Sequence, residues 1–195
     1  MKVTREQAAQ NRQRIVETAA QLFREKGFDG VSVAELMEHA GLTHGGFYGQ
    51  FSSKEDLMAQ ACAKAIQDLE QRWRGLLERK PKEPLAAIAT QYVSTGHRDN
   101  PGDGCVLTSL SADAYRQGPQ VRSAITDALK GFVSILAGVV SGRTAKARRQ
   151  QALASCAAMV GAVVLARAVT DEALSEEILE AVRSQTAKLD KARAA

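Results

Sequence analysis

Side chains suited to catalysis or metal binding are few: three histidines, His39, His44 and His97, and three cysteines, Cys62, Cys105 and Cys156. One stretch gathers several of the useful types, His97, Arg98, Asp99, Asp103 and Cys105 in HRDNPGDGC. An imidazole beside a thiol can generate a nucleophilic thiolate, and the same groups ligate metals. The spacing here is irregular and interrupted by Pro101, Gly102 and Gly104, unlike the short fixed intervals of metal and nucleophile motifs. A Cys/His-dependent enzyme or metal-binding protein is therefore the alternative reading. The leading expectation is a non-enzyme with no cofactor and no metal.

The elements that position these residues follow from composition and periodicity. Apolar residues make up 45% and charged residues 25%, a globular mixture, and only 4 prolines in 195 residues leave helices uninterrupted. A chain this long buries a sizeable core, which excludes a disordered tail. Three cysteines without a closely spaced pair exclude a disulfide knot, and the polar start MKVTREQAAQ does not read as a secretory signal. A cytoplasmic protein with reduced thiols is expected. The most apolar stretch, Ala152 to Val169, is interrupted by Ser155 and Arg167 and reads as a buried helix, with no membrane partner.

The net charge of +4 suits an anionic partner such as nucleic acid. Its distribution is uneven: residues 1–60 sum to −1 and residues 61–195 to +5. Bulk charge therefore does not locate a DNA-binding surface in the first sixty residues.

Ile15, Ala19, Leu22 and Phe23 lie on one helical face, and Gly27 ends a helix predicted from about Arg5 to Lys26. Ser32 and Glu35 have capping-box spacing before a helix from Val33 to Ala40. Gly41 suits a left-handed C-cap, and Thr43 an N-cap for a short helix from about His44 to Gln50. Ser52 and Glu55 repeat the capping-box spacing ahead of a long helix to about Arg79. Further helices are expected at Ala87–Gly96, Cys105–Arg116, Gly118–Ser141, Ala145–Thr170 and Ser175–Lys191, with HRDNPGDG as a polar loop. No convincing strand is found, so the fold class is all-α. Five of the nine aromatic residues, Phe23, Phe28, Phe47, Tyr48 and Phe51, fall in the first 51 positions, which implies a separately packed N-terminal unit.

Two short helices joined by a glycine-containing turn, AELMEHAGLTHGGFY, match the helix-turn-helix pattern, in which the second helix enters the DNA major groove. A structural dimeric adaptor would require that match to be accidental. The wider segment from Ile15 to Leu57, with AAQLFREKGF, the Ala40-Gly41 turn, and Tyr48, Phe51, Ser53, Lys54 and Leu57, strongly resembles the N-terminal domain of the tetracycline-repressor (TetR) family of transcriptional regulators. The resemblance implies an all-helical homodimer with a divergent C-terminal ligand domain. It places a helix-turn-helix DNA-binding domain in residues 1–52 and a ligand-binding and dimerisation domain in residues 53–195. The function it implies is a repressor that a small-molecule or electrophile inducer releases from a palindromic double-stranded operator.

The expected DNA-facing residues are Ser32, Val33, Thr43, His44, Gly45, Gly46, Tyr48, Gly49 and Lys54. Thr43 and His44 open the second helix, where free backbone amides favour phosphate. His44 is also placed to reach a base edge, and the Tyr48 hydroxyl a phosphate, while Phe47 and Phe51 fill the core. Lys54 matches the family's phosphate-contacting lysine. Gly46 and Gly49 depart from the commoner family pattern, leaving fewer side chains to read bases, so backbone approach and DNA shape take a larger share. Lys2, Arg5, Arg12 and Arg14 are further candidates for phosphate contacts.

In the second unit, HRD followed by GC resembles a subgroup of the family, and His97, Arg98 and Cys105 are the candidate ligand- or redox-sensing residues. Cys105, at an expected helix start, stands apart from Cys62 and Cys156, which fall on apolar helical stripes. The small, apolar residues of the last two long helices suggest a dimer interface at Leu153, Val160, Gly161, Val164 and Ile178.

Overall fold

The computed structural model describes residues 4–194, with side chains described as far as Asp190. Lys2 lies outside the described residues. These contain nine α-helices and no strand: α1 (Arg5–Lys26), α2 (Val33–His39), α3 (Lys54–Glu78), α4 (Pro84–Tyr92), α5 (Thr95–Asp99), α6 (Val106–Ala114), α7 (Pro119–Val139), α8 (Ala145–Ala168) and α9 (Glu172–Ala194). Single 3₁₀ turns occupy His44–Gly46 and Pro101–Asp103. The chain is all-α, and it packs as two compact units: residues up to 67 with 105–128, and residues 68–104 with the chain from 129 onward.

In the first unit, the Thr4 hydroxyl accepts from the Gln7 amide and starts α1, whose Ile15, Ala19, Leu22 and Phe23 are buried. Gly27 (φ +76°) ends it in the left-handed region that favours glycine. α1 packs on α2 and also on α6, and a Cβ at Gly27 would stand 3.2 Å from Asp113 Oδ2. The aromatic-rich segment is thus not packed separately. It shares its unit with residues some 80 positions downstream, a long-range pairing that aromatic spacing does not reveal.

The N-terminus of α2 carries the expected capping pair, Ser32 and Glu35. Ser32 Oγ accepts from the Glu35 amide at 3.1 Å, a cap worth about 1 kcal/mol, while the Glu35 carboxylate is held chiefly by Lys26 Nζ, with the Ser32 backbone amide a lesser partner. Its C-terminus is a Schellman motif: the Gly41 amide bonds Glu38 O (2.9 Å) and the Leu42 amide bonds Met37 O (2.8 Å), with Gly41 at φ +67°. At α3 the cap falls one residue later than the spacing suggests. Ser53 Oγ accepts from the Asp56 amide, and Asp56 Oδ2 accepts from both the Ser52 amide and hydroxyl. Glu55 is thereby released for another task. Its Oε1 accepts from the Gln120 amide (3.1 Å) at the start of α7, and a Cβ at Gly118 would collide with the same oxygen.

In the second unit Trp73, Tyr92 and Phe132 form a buried aromatic cluster, with Trp73 and Phe132 centroids 4.5 Å apart. α9 packs on both α4 and α8, and the buried Asp190 accepts from the Ala86 amide at 2.8 Å, capping α4. The expected Ala87–Gly96 helix starts earlier and is broken at Val93. Ser94 restarts the chain as α5 by accepting from the His97 amide. HRDNPGDG is therefore not an irregular loop. Arg183 donates to Val93 O, and Arg167 to Arg98 O and His97 O, so arginines from two distant helices satisfy the orphan carbonyls that end these short segments.

The apolar stretch in α8 is only half buried. Ala152, Ser155, Cys156, Met159, Ala162, Val163 and Ala166 face inward, while Leu153 (41% exposed), Val164 (40%) and Leu165 (56%) face out. α8 is long and apolar enough to cross a membrane by length and composition.

Candidate nucleic-acid interface

The second helix of the helix-turn-helix is not the expected α-helix from His44 to Gln50. It is one 3₁₀ turn at His44–Gly46 followed by further turns, through Gly46 N to Thr43 O, Phe47 N to His44 O and Gln50 N to Phe47 O, each about 3 Å. Glycine costs a helix roughly 1 kcal/mol per position, and Gly45, Gly46 and Gly49 fall within five residues, so the tighter turn wins.

The exposure pattern of this segment is sharply divided. Phe47 and Phe51 are buried and stacked with centroids 5.5 Å apart, while Thr43, His44, Gly45, Gly46, Tyr48 and Gly49 are all exposed. Tyr48 is 69% exposed, with its ring edge-on to Phe47 at 5.2 Å and to His44 at 6.1 Å. The Thr43 hydroxyl makes no capping bond. Nothing inside the protein demands the three glycines. None has a positive φ, a Cβ at Gly45 would meet nothing within 4 Å, and those at Gly46 and Gly49 would make only ordinary contacts at 3.6 and 3.7 Å. The result is an exposed ridge of polar side chains and bare backbone, held from behind by two phenylalanines.

Other candidates look inward. Ser32 Oγ is engaged at the α2 cap and Val33 is half-buried beside it. Lys54 Nζ donates to Phe28 O at 2.7 Å and lies 6.0 Å from the Phe23 ring centroid. Arg12 donates to Gln50 O (3.1 Å) and Gln60 Oε1 (2.9 Å) with its guanidinium 4.4 Å from the Phe51 ring centroid, and Arg14 donates to Ala40 O. Both arginines brace the helix-turn-helix from α1; Arg5 remains exposed in the first turn. Burial pushes the Asp56 carboxyl up, but hydrogen bonds from Gln60 and Ser52, with Arg12 nearby, hold it below the usual carboxylate range.

The candidate sensing residues are engaged within their own units. His97 Nδ1 is 2.7 Å from Tyr92 O, and its ring is 4.5 Å from that of Tyr92. Arg98 grips Asp99 through two nitrogens (2.7 and 3.2 Å) and donates to Ser175 Oγ, beside a cleft of about 260 Å³ that Arg167, Thr170 and Glu172 also line. The Asp99 carboxylate holds the Arg98 guanidinium above its ordinary pKa. Cys105 is 1% exposed and N-caps α6, its Sγ accepting from the Leu107 amide at 3.4 Å. Cys62 is also buried, and burial pushes its thiol up to about 12. Among the described residues no three His, Cys, Asp or Glu side chains group as metal ligands.

On α8, Leu153, Val160, Gly161 and Val164 share one face with the exposed Leu165, and a Cβ at Gly161 would meet nothing within 4 Å. On α9, Ile178 is half-buried, one turn beyond the exposed Leu174. Leu165 and Leu174 were missed by sequence reasoning, although the i, i+4 spacing from Gly161 and to Ile178 marks both.

Residues 15–61 match the family described as "Bacterial regulatory proteins, tetR family". Over this segment the chain is similar to the TetR family. The HTH-type transcriptional repressor NemR of Escherichia coli (strain K12) is 27% identical over 128 residues, 64% of each chain, and the HTH-type transcriptional repressor DhaR of Mycobacterium sp. (strain GP1) is 27% identical over 112 residues, 57% of this chain and 56% of DhaR. These matches thus span between half and two thirds of the relatives' length. The TetR fold extends further. The crystal structure of the reduced form of E. coli NemR superposes with a TM-score of 0.78 at 24% identity, covering 92% of this chain and 96% of that one. A TetR-family regulator from Cytophaga hutchinsonii gives 0.79 at 22% identity, covering 97% and 98%.

Proposed function

We propose that the protein is a transcriptional repressor that binds a palindromic double-stranded DNA operator as a homodimer and is released by a small-molecule inducer. The observation that carries this is the exposed ridge from Thr43 to Gly49, whose glycines serve no internal packing need and leave room for a phosphate or base edge to approach the backbone. Thr43, His44 and Tyr48 supply the side-chain contacts. Ser32 and Val33 contribute at the α2 start, and Lys54 contributes with the donors that Phe28 O does not use. Residues 1–52 carry DNA recognition and residues 53–195 carry ligand binding and dimerisation. The protein acts in the cytoplasm and is not an enzyme.

The dimer forms through the outward face of α8 and α9, around Leu153, Val160, Gly161, Val164 and Ile178, as an intermolecular four-helix bundle. Leu165 at 56% exposure and Val164 at 40% support this, since apolar residues continuous on one face gain by being covered. The inducer binds reversibly near His97 and Arg98. Burial of Cys105 and the engagement of its Sγ at a helix cap argue against direct attack on that thiol.

Selection of genomic fragments by the purified protein, followed by footprinting, tests the repressor reading. Protected half-sites about 34 Å apart, lost on joint substitution of His44 and Tyr48, are expected. Failure to enrich any sequence sinks it. Treating wild type and Cys105→Ser with a mild electrophile tests the inducer: equal responses leave the reversible site, and loss of response in the variant restores the thiol.

A further inference from the structure

The second unit carries an excess of positive charge for which the ridge on the first unit gives no reason. It is concentrated at one end. The start of α4 meets the end of α9 through the Ala86 amide and Asp190, and the turn after α7 meets α9 through Ser141 Oγ and Leu189 O at 3.4 Å. These contacts bring together residues 79–83, 142–149 and 188–190, which hold Arg79, Lys80, Lys82, Arg143, Lys146, Arg148, Arg149 and Lys188 against only Glu83 and Asp190. The local net charge of +6 exceeds the +5 of the whole stretch 61–195, so the rest of that stretch is slightly acidic. At the other end of α9, Asp171, Glu172, Glu176, Glu177 and Glu180 cluster instead.

All eight cations are exposed, and none closes an ion pair among the described residues. Their placement is unfavourable to the protein alone. Lys146 and Arg148 lie in the first turn of a 24-residue helix, with Arg149 directly after, where the aligned backbone dipoles disfavour positive charge, and no acidic residue offsets them. Arg148 Nη1 reaches only Gly142 O, at 3.2 Å. Lys80 sits at φ +51°, a left-handed conformation uncommon for a residue with a Cβ. Cations clustered against helix polarity and mutual repulsion mark a surface completed by an anion.

We propose that this basic end is a second, sequence-independent binding surface for duplex DNA, separate from the ridge of the helix-turn-helix. The three segments offer no exposed aromatic ring on which a single strand would stack, and no exposed large apolar side chain to anchor in a lipid interface. They offer four arginines and four lysines, the donors that engage phosphodiester oxygens without reading bases. The surface does not depend on the repressor reading, and its test uses protein with a disabled ridge.

The triple variant His44→Ala/Tyr48→Ala/Lys54→Ala is titrated with a short fluorescent duplex of scrambled sequence, by anisotropy at several salt concentrations. The proposal expects retained, salt-sensitive binding. Adding Arg143→Gln/Lys146→Gln/Arg149→Gln should lower the slope of log affinity against log salt by about two to three units. These three sites are exposed, and an unchanged thermal transition checks that the protein still folds. Adding Lys80→Gln/Lys82→Gln instead should lower the slope by about two units. Absence of duplex binding by the ridge-disabled protein overturns the proposal, as does an unchanged slope in both patch variants. Flotation with phosphatidylglycerol vesicles supplies the last arm: binding there without binding to duplex reassigns the surface to a membrane. With the ridge intact, the glutamine variants should still recognise a selected operator. Loss of operator recognition through His44 and Tyr48 bears on the repressor reading alone.

Discussion

Arg12 on α1 donates to the carbonyl oxygen of Gln50 at 3.1 Å, so the first helix holds the end of the recognition turn from 38 residues away in sequence. A 3₁₀ turn with three neighbouring glycines has little rigidity of its own, and this bond, with the guanidinium over Phe51, supplies some. Arg12→Ala should cost about 1–2 kcal/mol in urea unfolding and weaken operator binding by more than that loss explains. Equal free-energy losses in unfolding and binding would reduce Arg12 to a stability residue.

Lys54, proposed to meet DNA, already donates to the Phe28 carbonyl. Lys54→Ala should lower the unfolding free energy by about 1 kcal/mol and the salt slope of operator binding by about one unit. Tyr48→Ala, at an exposed position, should weaken binding with little change in the unfolding midpoint. A Lys54 variant with its slope intact would assign this lysine wholly to the Phe28 loop.

Gly45 separates folding from recognition. Because a Cβ there meets nothing within 4 Å, Gly45→Ala should stabilise the protein by about 0.5–1 kcal/mol through the stiffer backbone. If the proposed ridge meets DNA, the same methyl intrudes on it, and affinity should fall roughly tenfold, or about 1.4 kcal/mol. A tighter complex would show that the backbone stays clear of DNA.

Val164→Glu and Gly161→Glu place a charge on the outward face of α8. Both should yield folded monomers by sedimentation velocity, with far-ultraviolet circular dichroism unchanged and operator affinity reduced. A dimer that persists in both removes this face from the interface.

Acid should loosen the start of α3. The Asp56 pKa is depressed in the folded chain, so its contribution is complete above the usual carboxylate range and is lost as the pH falls through the depressed value. Urea midpoints measured at descending pH should drop through that window, and Asp56→Asn should flatten the drop. A variant that tracks wild type at every pH would place the acid-sensitive group elsewhere.

Local signals carried the helices and most of their ends. The apolar face of α1, the Ser32 cap and the Gly41 terminus all depend on neighbours within one turn, and each appears where spacing puts it. What spacing missed depends on distant partners. HRDNPGDG opens as the end of α5 and continues as a 3₁₀ turn, with Arg167 of α8 reaching the His97 carbonyl about 70 residues later and Arg183 of α9 holding the Val93 carbonyl just ahead of it, about 90 residues later. The Ser52–Glu55 pair misled because Asp56 competes for the same cap and Glu55 has a partner in Gln120. Within the ridge, the exposure of Thr43, His44 and Tyr48 was legible from their polarity beside Phe47 and Phe51. The 3₁₀ geometry was not, because a helix-turn-helix pattern overrode the glycine count.

The discontinuity of the first unit bears on how the chain is made and exchanged. Its final surface includes residues 105–128, so a ribosome that has released only the helix-turn-helix has released an unfinished body, with the α6-facing side of α1 still in water. Completion waits for at least 60 further residues. For the same reason, an exchange of residues 1–52 alone separates Gly27 from the Asp113 beside it, and a hybrid that carries α6 along with the head keeps that contact.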